Sequence, residues 1–125
     1  MREKANTGIR IILGLLLVVF GVNKFAQFMP LPLMPDAAFN FIKSLLETGY
    51  MMPVVGVIEV GVGLMLLANR YVALALVFLA PIAVNIMLFH LALDFRGIAG
   101  GLVVFSAMIY LMYLNKDKYH ALLQA

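Results

Sequence analysis

The sequence predicts an all-α integral membrane protein, a four-helix antiparallel bundle with a short amphipathic helix at the interface between spans 1 and 2. Three observations predict it. Of 125 residues, 65% are hydrophobic and only 12% charged, and the mean hydropathy is +1.05, a composition that means membrane spans rather than a soluble core. The apolar residues gather into four runs, each close to the ~20 residues that a helix needs to cross a bilayer. Short polar turns such as Asn69-Arg70 and Asp94-Gly97 separate the later runs, so neighbouring spans must return antiparallel. The length fits four spans in a single transmembrane domain, residues 1–125.

Span 1 is expected at about residues 9–28, with Arg10 at its start, where a long side chain can snorkel to the headgroups. Its basic flank and apolar run resemble a signal peptide, but Asn23-Lys24-Phe25 stands where a small-residue cleavage site would be, so it reads as a retained span. Gly14, Gly21 and Lys24 share one face by their helical spacing. The next segment, Met29–Pro35, carries three prolines and cannot be regular helix. Asp36 can cap a short helix over about 36–48, with Phe39, Phe41, Ile42, Leu45 and Leu46 opposite Asn40, Lys43, Ser44 and Glu47, and Gly49 as its stop. It is too short to span and suits the interface.

Span 2, residues 51–68, contains one charged residue, Glu59, near its middle. An ionised carboxylate at that depth is costly unless protonated or paired. Gly56 and Gly63 share its face, and a glycine face is where another helix approaches closely. Span 3, about 71–93, contains Pro81, which frees the Val77 carbonyl and should kink the helix, with Asn85 on the same face. Span 4, about 98–114, opens on Gly97 and Gly101, a small-xxx-small pair, and carries Ser106, Tyr110 and Tyr113 as a polar stripe.

Arg2, Lys4, Arg10, Arg70, Lys116 and Lys118 fall on one side of these spans, and Lys24, Lys43 and Arg96 on the other. The positive-inside rule then puts both termini in the cytoplasm, with the chain in the cytoplasmic (inner) membrane. Lys24, Asn85 and His90 come to lie in the outer half, above Glu59. This suggests a buried Lys24–Glu59 ion pair with Asn85 as a neutral partner and Asn23 and Gln27 nearby. Such a cluster is either a ligand site or a clamp that holds the helices in register.

His90 has a local partner in Asp94, one turn on, and reads better as a helix-end pair than as a catalytic base. Met29, Met34, Met51 and Met52 suit interfacial packing better than Cu(I) ligation. Tyr50, Tyr71, Tyr113 and Tyr119 read as interface anchors. The chain has no cysteine, which excludes disulfide exchange, thiolate catalysis and Cys-ligated metals within it. No catalytic motif appears, no metal site is expected, and no basic run suggests nucleic acid.

Gly14 with FGVNKF (Phe20–Phe25), ETGY (Glu47–Tyr50), PVVGVIEVGVGLMLLANR (Pro53–Arg70) and PIAVNIMLFHLALD (Pro81–Asp94) together resemble the DoxX family of small four-helix bacterial membrane proteins. The resemblance implies membrane redox systems, including a quinone-linked thiosulfate oxidoreductase subunit. Without cysteine the chain departs from any thiol-based role, whereas a quinone-headgroup pocket needs none. The expected function is therefore a non-catalytic accessory subunit of a membrane oxidoreductase system, with quinone as a cofactor by resemblance only. The alternatives are a small proton-coupled carrier using Glu59 and a membrane-protein assembly factor. Expected partners are the lipid bilayer, other membrane redox subunits and a second copy of the chain.

Overall fold

The structure, a computed structural model, describes residues 2–124. Among them it is all-α, with five helices: α1 (Arg2–Ala26), α2 (Asp36–Glu47), α3 (Met51–Ala68), α4 (Val72–Ala92) and α5 (Ile98–Leu114). The four longer helices have the length and composition to cross a membrane, α5 together with the 3₁₀ turn Phe95–Gly97 that leads into it.

Helix α1 begins well before the expected Ile9, so about two turns of polar helix precede the apolar run. Glu3 in its first turn and Lys24 in its last both suit the helix dipole. It ends at Ala26, short of the expected Phe28, because Gln27 takes a left-handed φ of 49° and leaves the helical path. Pro35, not Asp36, is the N-cap of α2, and Asp36 is its first helical residue with no side-chain capping bond. Gly49 follows the Thr48 C-cap at a φ of 79°, a value glycine adopts without steric cost. The Thr48 hydroxyl donates to the Leu45 carbonyl at 2.6 Å and accepts the Met51 amide at 3.2 Å, so one side chain closes α2 and opens α3.

At the other end of α3, Asn69 and Tyr71 are both left-handed, with φ of 55° and 54°, and they reverse the chain within three residues. Helix α4 continues through Pro81 without a break. After α5, residues Lys116–Leu123 form a 3₁₀ segment. Its Tyr119 hydroxyl donates to the Ala73 carbonyl of α4 at 2.9 Å. Burial raises the Tyr119 phenol above its ordinary pKa.

The most extensive helix contact is α1 against α3, and α3–α4, α4–α5 and α5–α1 contacts close the ring. The start of α1, the Lys116–Leu123 segment and the α3–α4 turn lie at one end, called the terminal end below, and α2 lies at the other. In the half nearer the termini, Leu13, Leu66, Leu76, Leu79, Met108 and Leu111 are fully buried against one another. In a bilayer this interdigitation, rather than release of water, is what draws helices together. The half nearer α2 is hollow.

Candidate functional site

Glycine sets the geometry of the site. A Cβ placed on Gly63 would lie 2.8 Å from the Gly14 carbonyl oxygen, and one on Gly21 would lie 3.0 Å from the Gly56 carbonyl oxygen. Gly14 thus opposes Gly63, and Gly21 opposes Gly56, in one antiparallel register, so the α1 and α3 backbones touch at two levels. Glu59 lies on α3 between the two glycines, and Lys24 on α1 lies one turn beyond Gly21. Because helical side chains lean toward the N-terminus of their helix, Lys24 reaches back along α1. Its Nζ lies 3.4 Å from the Phe20 carbonyl oxygen and bridges both Glu59 carboxylate oxygens, at 3.0 and 3.1 Å.

The two partners differ in exposure: the Glu59 side chain is 2% exposed and that of Lys24 is 23% exposed. The ammonium therefore faces the open space and the carboxylate stands behind it. That space is a cavity of about 1030 Å³ between α1, α2, α3 and α4. Its walls are mainly apolar, including Ile42, Leu45, Val55 and Phe89, and Met29, Met51 and Met52 line it as well. Met34 is not among its lining residues. The polar side chains that reach it are Asn23, Lys24, Gln27, Glu59, Asn85 and His90.

These residues do not all act together. Asn85 lines the same cavity but does not bond to Glu59. Its amide donates to the Pro81 carbonyl at 2.8 Å, one turn back on its own helix. Asn23 accepts the Met29 amide at 2.9 Å and so ties down the start of the Pro-rich segment. His90 lies beside Asp94, with Nδ1 3.2 Å from the Asp94 carbonyl oxygen and 3.7 Å from its carboxylate. The ring packs against the start of α5, where a Cβ on Gly97, just before the helix, or on Gly101 would meet ring carbons at 3.2 and 3.1 Å. Gly101 therefore makes room for the histidine ring, and Gly97 for the Asp94 carboxylate as well as the ring, rather than for a backbone. Among the described residues no group of three His, Cys, Asp or Glu side chains could hold a metal.

A smaller concavity of about 450 Å³ runs along α5, lined by Phe105, Ser106, Ile109, Tyr110 and Tyr113, and takes in the polar stripe of span 4.

Arg10 is placed differently from the sequence reading. It does not snorkel outward. It is 8% exposed, and Nη1 donates to the Leu66 carbonyl oxygen, with the Leu67 carbonyl oxygen at 3.5 Å. Helix α3 has no basic residue in its own last turn, and Arg10 brings a cation to that negative end.

No curated protein and no solved structure matches the chain. The family model for DoxX does, over residues 5–92, a stretch that includes the glycine seam, Lys24, Glu59, Asn85 and His90. With more than half of its length matched, this small membrane protein belongs to the DoxX family.

Proposed function

We propose that the protein is a non-catalytic accessory subunit of a membrane oxidoreductase system and that its cavity holds the headgroup of a quinone. One observation carries this reading: an apolar cavity within the bundle ends on a single ammonium whose counter-charge is buried behind it. A quinone matches that arrangement in kind. Its carbonyl oxygen can accept from the Lys24 ammonium, and its ring and chain suit apolar walls. The volume is at the upper end of small-molecule sites, roughly 300–1,000 Å³.

A bound quinone would supply the redox chemistry. The chain's own residues would hold it: Lys24 would donate a hydrogen bond, Glu59 keeps Lys24 in place, and Met29, Met51, Met52 and Phe89 would supply apolar wall. The carrier reading, in which Glu59 itself takes up the proton, has less support because the Glu59 side chain is only 2% exposed and is already paired with Lys24. In this reading both termini face the cytoplasm, and the cavity opens outward.

The experiment is a thermal-unfolding titration of the purified protein in mild detergent with a short-chain quinone, together with identification of co-purifying subunits. Wild type should be stabilised by the quinone and Lys24→Met should not. Failure of the wild type to respond would refute the quinone site. Cysteines introduced at Asn115 and Asn40 should label from opposite sides of the membrane, and labelling of both from outside would overturn the orientation.

A further inference from the structure

The two ends of the bundle treat their charges differently. Near α2, Lys43 lies 3.9 Å from Glu47 and Lys24 is paired with Glu59, which leaves Arg96 as the one exposed cation without an ion pair there among the described residues. At the terminal end, Arg2, Lys4, Arg70, Lys116 and Lys118 are all exposed, and none forms an ion pair among the described residues. The acids near them in sequence, Glu3 and Asp117, are fewer and equally exposed.

The segment Lys116–Leu123 gives this charge a definite place. Asn115 closes α5 by donating to the Leu111 carbonyl at 2.7 Å. The Lys116 ammonium sits 4.7 Å above the Tyr113 ring, a cation–π distance. Tyr119 fastens the segment to Ala73, three residues from Arg70. The segment that carries Lys116 and Lys118 is thereby fastened to the first turn of α4, which follows the α3–α4 turn that carries Arg70. Just beyond them, Leu122 and Leu123 are 72% and 83% exposed. Two bare leucines beside three unpaired cations, on a segment fastened where the helices leave the bilayer, combine the two attractions of an interfacial anchor.

We propose that this end of the protein binds anionic phospholipid. The headgroup phosphates contact Lys116, Lys118 and Arg70, and Leu122 and Leu123 seat at the boundary of the acyl chains. The charge is complementary to a phosphate, and the exposed leucines offer apolar side chains to an acyl chain. The site is independent of the cavity and of any quinone.

The chain contains no tryptophan, so Leu123→Trp adds a single reporter and keeps an interfacial side chain at that position. The full-length variant is reconstituted in phosphatidylcholine vesicles containing a minor fraction of chain-brominated phosphatidylglycerol. It is compared with vesicles in which the same fraction of phosphatidylcholine carries the bromine. Quenching should be markedly stronger with the brominated anionic lipid. Each of Lys116→Gln and Lys118→Gln should lower the apparent preference by about fivefold, the contribution of one basic side chain near an anionic surface. High salt should weaken it, and Lys43→Gln at the opposite end should leave it unchanged. Equal quenching by the two brominated lipids would overturn the proposal, as would an absence of quenching by either. Loss of the preference on adding inorganic phosphate at matched ionic strength would assign the cations to a soluble anion and likewise overturn it.

Discussion

The same four helices form two unlike halves. Toward the termini they enclose a packed layer of leucines, and toward α2 they enclose a cavity. Each half also buries a cation from α1. In the packed half Arg10 is sealed in, and the carbonyl oxygens of Leu66 and Leu67 take its charge. In the hollow half Lys24 meets a carboxylate and keeps part of its surface open to the cavity. The difference separates a cation that finishes a helix from a cation that can still meet a ligand.

The largest expected effect lies in the hollow half. If Lys24 and Glu59 depend on each other, Lys24→Met or Glu59→Gln alone should cost about 3–5 kcal/mol, because one charge is left buried without a partner, whereas the double change should cost much less. Thermal unfolding in detergent over the four-member cycle measures the coupling, and strictly additive single effects would mean the two residues are independent. Next come the glycines that run through both halves. Gly63→Ala should cost about 1–3 kcal/mol, because its Cβ would press on the Gly14 carbonyl and backbone must move. Gly61→Ala, two residues away with nothing within 4 Å, should be neutral or stabilise by up to about 1 kcal/mol. Equal effects at the two positions would rule out the close seam.

Arg10→Met in the packed half should cost about 1–2 kcal/mol, through the lost helix-end charge and hydrogen bonds. It should also leave quinone-induced stabilisation intact, and loss of that response would erase the distinction between the two cations. The smallest effect belongs to α2, whose Phe41 ring lies 5.7 Å from the Phe89 ring. Phe41→Ala should cost about 0.5–1.5 kcal/mol and raise hydrogen exchange in α2 before any other helix. Uniform exchange across the chain would show α2 to be as firmly held as the spans.

The spans and their order were legible because they are set by local hydrophobicity. The ends of α2 and α3 came from Gly49 and from the apolar run bounded by Asn69. The faces bearing Gly14, Gly21 and Lys24, and Gly56, Glu59 and Gly63, followed from helical period alone. Their register did not, since nothing local says that Gly14 meets Gly63. Arg10 was misplaced for the same reason. From its own neighbours it is a cation near the start of a span, and its acceptors lie 56 and 57 residues away. Asn85 was assigned to Glu59 because both are polar and lie at similar depth. The adjacent Pro81 carbonyl was the nearer acceptor.

The positions of Arg10 and Lys24 also bear on biogenesis. Helix α1 is synthesised before α3 and carries both cations, while every acceptor they meet outside α1 itself belongs to α3. Until Met51–Ala68 has left the ribosome, α1 must hold two charges near lipid, each costing up to about 2.5–3.5 kcal/mol at full depth. The first helix should therefore remain loosely placed at the insertion machinery and commit to the bilayer as a pair with α3, after α2 has passed. A chain truncated before Met51 should show incomplete membrane insertion of α1 by glycosylation mapping. Extension through Ala68 should restore it, and Glu59→Leu in the extended chain should undo part of that gain.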